Sequence, residues 1–202
     1  MTARLKLLCH ASTAATRSAA FPADEPVDER GLRTLAVSPH RLRNADRFLT
    51  SPALRASQTA EALQLDATVE PMLRDCDYGR WTGRTIDDVQ AQEPEAVAEW
   101  LRDPGAAPHG GESMLALMDR VATWLDGQCE TPGVTVAVTH ASVIRAAVVH
   151  ALEAGPRSFW RIDVAPLSLT QLNGDNDRWT LVSIGLAKPE PKAAWATSGP
   201  NS

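Results

Sequence analysis

The chain has 202 residues, of which 44% are apolar and 22% charged, the balance of an ordinary globular protein, and this excludes a wholly disordered chain. Twenty basic against 25 acidic residues leave a formal charge of −5, the wrong sign for a generic nucleic-acid binder. No window approaches the roughly 18–20 uninterrupted apolar residues of a membrane helix, so neither nucleic acid nor membrane is expected as a partner.

Arg4–Cys9 predicts a first strand, running into a loop rich in Ala, Ser and Thr. Its apolar run, Leu7-Leu8-Cys9 before His10, is too short for a signal-peptide core, so the expected compartment is the cytoplasm. Asp28–Leu35 predicts a helix, broken near Ser38-Pro39 because the residue before proline is pushed out of the α region. Asp46–Thr50 predicts a short strand, and Ser51-Pro52 predicts an N-cap with proline at the first helical position, opening a helix to about Leu63. A short strand is expected near Ala67–Glu70, within a loop-like stretch over 66–84. Helices are expected over Thr85–Gln92 and Pro94–Leu101, then a turn-rich loop through Gly110-Gly111.

Ser113 predicts the cap of an amphipathic helix, with Leu115, Met118, Val121, Ala122 and Leu125 at helical spacing. Val134–Thr139, apolar but for Thr135 and Thr139, predicts a strand of the buried parallel kind, followed by an apolar helix over Ala141–Leu152. Ile162–Val164, Leu167–Leu172 and Trp179–Ile184 predict late strands, the last two joined at Asn173-Gly174. The Pro-, Ala- and Ser-rich residues 187–202 are expected to form a disordered tail. The fold class expected is one α/β domain over 1–186, with helices on both faces of a mostly parallel sheet.

Cys9, Cys76 and Cys129 lack CxxC spacing and predict free thiols rather than a disulfide framework or zinc site. Among the twenty basic residues only Lys6, Lys188 and Lys192 are lysines, an imbalance that genomic base composition explains without anion binding. No His/Asp spacing suggests a metal cage, and no cofactor is expected.

Ligands of open α/β sheets gather beyond the carboxyl ends of the strands. There the first strand ends at Cys9-His10-Ala11, the second at Thr50-Ser51-Pro52 with Arg55 one turn on, and the long apolar strand at Thr139-His140-Ala141. Two histidines and an arginine thus converge beside a helix N-terminus that favours an anion. One histidine can attack phosphorus while the other and the arginine neutralise the transferring group.

These segments resemble the histidine phosphatase superfamily, also called phosphoglycerate-mutase-like. Leu7-Leu8-Cys9-His10-Ala11 stands where that family has a strand and Arg-His-Gly, and Ser51-Pro52-Ala53-Leu54-Arg55-Ala56-Ser57-Gln58-Thr59-Ala60 is similar to its Ser-Pro-x-x-Arg-x-x-Gln-Thr-Ala. Leu73-Arg74-Asp75-Cys76-Asp77-Tyr78-Gly79-Arg80-Trp81-Thr82-Gly83 resembles its Leu-x-Glu-x-x-x-Gly-x-Trp-Glu-Gly. Gly110-Gly111-Glu112-Ser113 and Val138-Thr139-His140-Ala141-Ser142-Val143-Ile144-Arg145 match its later motifs.

The resemblance implies that His10 forms a phosphohistidine, that Arg55 and His140 bind the phosphoryl oxygens, and that Asp75 protonates the leaving oxygen and then activates water. It also implies phosphate contacts from Thr16 and from the Ala141 backbone N–H. Arg17, on the loop after His10, is expected from its position to swing a guanidinium into the place that Cys9 leaves. Cys9, Ala11, His109 and Trp81 are possible pocket neighbours. Arg74 and Arg145 are expected to pair with carboxylates.

Three departures stand out: Cys9 replaces the arginine before the nucleophile, Ala11 a glycine, and Asp75 a glutamate longer by about one methylene. A thiol cannot replace a bidentate guanidinium. The short region between Asp75 and Gly110 favours a hydrolase of a small phosphate ester over a mutase, which must close against water. Two readings stay open beside it: a degenerate member that binds an anionic ligand or a protein partner without turnover, and a remodelled enzyme acting on another ester or a pathway intermediate. Substrate identity and oligomeric state are not legible.

Overall fold

The computed structural model describes residues 2–35, 42, 44–175 and 178–186. The expected break at Ser38-Pro39 and the tail at 187–202 lie outside the described residues. Six strands form one sheet: β1 (Ala3–Cys9), β2 (Arg47–Thr50), β3 (Thr68–Val69), β4 (Gly133–Thr139), β5 (Leu169–Asp175) and β6 (Arg178–Leu186). Their order is β3-β2-β4-β1-β5-β6. The first four run parallel, while β5 pairs antiparallel with both β1 and β6.

The helices are α1 (Ala14–Ser18), α2 (Glu29–Leu35), α3 (Leu54–Ala62), α4 (Ile86–Gln92), α5 (Pro94–Arg102), α6 (Met114–Cys129) and α7 (Ala141–Ala151), with 3-10 turns at Pro71–Leu73, Gly79–Trp81 and Pro156–Arg161. Side chains alternate across the central strands, so each face of the sheet needs a cover. Leu5, Leu7 and Cys9 of β1 pack in the main core with Leu117, Val121 and Leu125 of α6 and Val143, Ala147 and Val148 of α7. Leu8 faces the other way and joins Val136 and Val138 of β4 under Ala56 and Ala60 of α3. Ser113 caps α6 as expected, its side chain accepting from Ala116 N at 3.1 Å. No helix among the described residues is long and apolar enough to cross a membrane.

Three expectations are corrected. Ser51 does not cap α3. The cap position is Ala53, with no side-chain hydrogen bond, and the helix starts at Leu54, because the Ser51 hydroxyl is taken by His140 at 2.7 Å. Ile162–Val164 is not a strand: both edges of β1 are already filled by β4 and β5, and the segment follows a 3-10 turn instead. Asn173-Gly174 is not the hairpin turn but lies inside β5, Gly174 opposite Trp179. A Cβ on Gly174 would come to 3.0 Å from both the Trp179 ring and the Cys129 sulfur, so this glycine is read as a close approach rather than a turn.

Register brings the loop residues together. Cys9 lies opposite Thr139, and Thr50 opposite Val138. The three parallel strands therefore end level, and His10, Ser51 and His140 leave the sheet side by side. Hydrogen bonds from His10 N to Thr139 O (2.9 Å) and from Ser51 N to Val138 O (2.9 Å) carry the pairing one residue further.

Candidate active site

His10 is buried at 8% exposure, and its Nδ1 donates to the Ala11 carbonyl at 2.7 Å. A carbonyl only accepts, so the proton is on Nδ1 and the lone pair on Nε2. Burial lowers the pKa of the ring, which keeps it neutral and nucleophilic. The loop that follows is tied down, Ala11 N donating to Thr59 Oγ1 (3.0 Å) and Thr59 Oγ1 to Arg55 O (2.7 Å).

His140 is completely buried, and its ring centroid lies 5.1 Å from that of His10. Ser51 Oγ lies 2.7 Å from His140 Nε2 and also accepts from Ala53 N at 3.3 Å. Because the Asp75 carboxylate facing Nδ1 only accepts, we assign the ring proton to Nδ1 and the Ser51 proton to the Nε2 contact. That Nδ1 is buried, has no hydrogen-bond partner and stands 3.3 Å from Asp75 Oδ2. Burial pushes the His140 ring down to about 3, so it works as a neutral donor.

Arg55, on the first turn of α3, is 2% exposed. Nη1 donates to Ala23 O at 2.6 Å and Nη2 to Asp75 Oδ2 at 2.7 Å, while buried Nε has no partner. Asp75 arrives from the loop after the Pro71–Leu73 turn. Its Oδ1 accepts from Cys76 N (2.8 Å) and from the Ser142 hydroxyl. Burial would raise this carboxyl, but the Arg55 guanidinium and the Ser142 hydroxyl outweigh that and hold it down to about 2. Two unpartnered buried donors, Arg55 Nε and His140 Nδ1, thus stand beside one carboxylate. Buried polar groups of this kind are costly unless something completes them.

A cavity of about 160 Å³ opens here, lined by His10, Thr16, Asp75 and Ala141 from the expected set. Thr13, Glu25, Tyr78, Ser142 and Arg145 line it too, while Arg55 and His140 stand behind Asp75 and are not in the lining. Thr16 also completes the capping box of α1 with Thr13. Arg17 is elsewhere: its Nε pairs with Asp28 at 3.2 Å, and it lines a neighbouring cavity with Arg30 and Leu167.

The other neighbours form a second layer. Cys9 is 2% exposed, and burial pushes its thiol up to about 12 while the Ala141 backbone N–H works on it in the opposite direction. Ala11 packs with Val27 and Leu35. His109 accepts from Gly111 N at 3.0 Å and packs on Trp81 with centroids 5.0 Å apart. Trp81 itself is fully buried and donates to Glu93 at 3.2 Å.

Sequence reasoning missed Ser51, Tyr78 and Ser142, and gave Arg145 the wrong partner. Arg74 does pair with Glu112, at 3.4 Å. Arg145 instead donates from Nε to Ile162 O at 2.8 Å. Helical spacing was the available signal, since positions three and four apart share a face and Arg145 follows Ala141 and Ser142 at those distances.

The profile of the histidine phosphatase superfamily (branch 1) matches residues 5–187. A bifunctional protein of Mycobacterium tuberculosis is 34% identical over 135 residues, covering 63% of this chain and 37% of that protein. The chain thus matches little more than a third of the length of that relative. Phosphoserine phosphatase 1 of Hydrogenobacter thermophilus is 24% identical over 172 residues, covering 81% of this chain and 82% of the relative. The solved structure of a mycobacterial glucosyl-3-phosphoglycerate phosphatase with VO3 superposes with a TM-score of 0.81 at 26% identity, covering 92% of this chain and 100% of that one.

Proposed function

The chain belongs to the histidine phosphatase superfamily (branch 1), and from that premise we propose that it hydrolyses small phosphate monoesters through a phosphohistidine on His10. The observation that carries this is the pairing of a neutral His10, its lone pair fixed on Nε2, with two buried unpartnered donors, Arg55 Nε and His140 Nδ1. Nε2 attacks phosphorus, the N–P bond forms, and the ester P–O bond breaks. Asp75 in its acid form gives its proton to the departing oxygen. Its carboxylate then takes a proton from water, which attacks phosphorus, breaks the N–P bond and releases inorganic phosphate. In the free protein Asp75 is ionised and held by Arg55 at 2.7 Å. A phosphoryl group that takes over Arg55 removes that hold and adds negative charge, and both effects raise the carboxyl toward its acid form.

The cavity volume of about 160 Å³ supports a small leaving group. Two of the named relatives are a phosphoserine phosphatase and a glucosyl-3-phosphoglycerate phosphatase, which supports the same ester class here. Free, buried thiols at Cys9 and Cys76 support a cytoplasmic setting. One observation favours the reading of an anion binder without turnover: Cys9 brings no cation to the site. Labelling by a phosphate donor decides between them. Acid-labile, base-stable label together with turnover of an aryl phosphate is expected in wild type, and both should vanish in His10→Ala. Label that persists in His10→Ala, or maps to His140, would sink the assignment.

A further inference from the structure

A phosphate monoester brings up to two negative charges at neutral pH, and the site as described has little free positive charge to meet them. His10 and His140 are both shifted by burial toward their neutral forms. The Arg55 guanidinium is already committed to Asp75. Glu25, which accepts from Thr13 Oγ1 at 2.9 Å, adds a further acidic side chain to the lining.

Arg145 is the guanidinium in that lining, and among the described residues it has no carboxylate partner. Its Nε is anchored on Ile162 O at 2.8 Å, and its Cζ lies 5.7 Å from the centroid of the Phe159 ring. An arginine held by Nε and stacked on a ring is pre-organised and keeps its Nη edge for a ligand. It lies on the same face of α7 as Ala141 and Ser142, which line the same cavity.

We propose that Arg145 is a direct ligand of the phosphoryl group, supplying the second cation that Cys9 does not. The proposal rests on the phosphatase reading of the site.

The test is equilibrium binding of inorganic phosphate and of orthovanadate to wild type, Arg145→Gln and Arg145→Lys. Turnover of an aryl phosphate and of a carboxylate-bearing phosphate ester is measured alongside. Arg145→Gln is expected to weaken both anions by about tenfold or more, a factor that corresponds to roughly 1.4 kcal/mol. Both esters should lose kcat/KM by similar factors, and Arg145→Lys should recover part of the loss. Both variants give up the anchor on Ile162 O, so equal losses in the two would mark a structural role and overturn the proposal. Unchanged affinity for both anions in Arg145→Gln overturns it, as does a loss confined to the carboxylate-bearing ester, which would assign Arg145 to the leaving group. A wild type that binds phosphate but turns over no ester fails the hydrolase reading alone, and the anion titration still decides Arg145. A wild type that binds neither anion overturns both.

Discussion

At the residue scale the free protein uses Asp75 as its own anion. The carboxylate sits 2.7 Å from Arg55 and 3.3 Å from His140, the two groups proposed for the phosphoryl oxygens. The charge that makes the site attractive to substrate is thereby satisfied until substrate arrives. Asp75→Asn removes the internal anion and the proton donor together, and the two losses pull in opposite directions. Inorganic phosphate should bind as tightly or more tightly, because Arg55 is freed. Turnover of alkyl esters should fall by about 10²-fold or more, within the range ascribed to a positioned general acid. Aryl esters, whose leaving groups need the proton less, should lose much less. Steady-state kinetics across a series of leaving groups reads the difference, and equal losses across the series would show that Asp75 is structural. His10, Arg55 and His140 were legible because they follow strand ends, whereas Asp75, in the loop after the Pro71–Leu73 turn, was expected only from the family resemblance. The ion pair between Arg55 and Asp75 was not legible, because spacing in sequence carries no information on which charged groups meet when no ligand is bound.

At the scale of elements, the loop that carries Asp75 is held from behind by α6. Arg120, 8% exposed, donates from Nη1 to Met72 O (2.6 Å) and Arg74 O (3.1 Å), and from Nη2 to Asp75 O (3.4 Å). Glu112, just ahead of the helix, accepts from Arg120 Nε at 2.8 Å and Nη2 at 2.7 Å. One guanidinium therefore ties the start of α6 to the backbone on either side of the proposed acid. Arg120→Met strands Glu112 and several carbonyls, and removing one partner of a buried pair costs about 3–5 kcal/mol. Chemical denaturation should show that loss. Where the variant still folds, alkyl esters should suffer more than aryl esters, because a displaced Asp75 fails as an acid first. A stability change under about 1 kcal/mol, the scale of a surface pair, would contradict the staple. The strongly patterned helices, α5 and α6 among them, were legible from spacing and caps. The Ile162–Val164 strand failed because an apolar run forms a strand only where a neighbouring strand pairs with it, and β1 is already paired on both sides by β4 and β5, a property of the whole sheet. Gly174 and Ser51 failed for a related reason: each has the composition of a turn or cap, and a partner distant in sequence (Trp179 and the Cys129 sulfur, or His140) decided its use.

At the scale of the whole molecule, the level ends of β1, β2 and β4 place two histidines in the interior, and the protein carries a pH liability for it. His140 titrates near 6.5 when unfolded and is pushed down to about 3 by burial; burial shifts His10 in the same direction. Below pH 6.5 the unfolded chain therefore binds protons at these rings that the folded chain refuses. By linkage the stability must then fall as the pH falls. Above that pH both states leave the rings neutral and the term vanishes. Asp75 adds nothing in this window: its depressed carboxyl contributes fully above the unfolded value of 3.8 and loses that contribution only as the pH falls toward about 2. Each ring that stays neutral costs about 1.4 kcal/mol per pH unit below 6. For His140 alone that is already steep against a total stability of order 5–15 kcal/mol. The melting temperature should hold level from pH 8 to 7 and then drop with increasing slope between pH 6 and 4.5. In His140→Gln that slope should become shallower, because one proton fewer distinguishes the two states, while His10 and His109, both lowered by burial, keep the rest of the acid limb. Melting curves across that range for wild type and His140→Gln make the check. An acid limb of equal steepness in both proteins would mean that the unfolding protons go elsewhere.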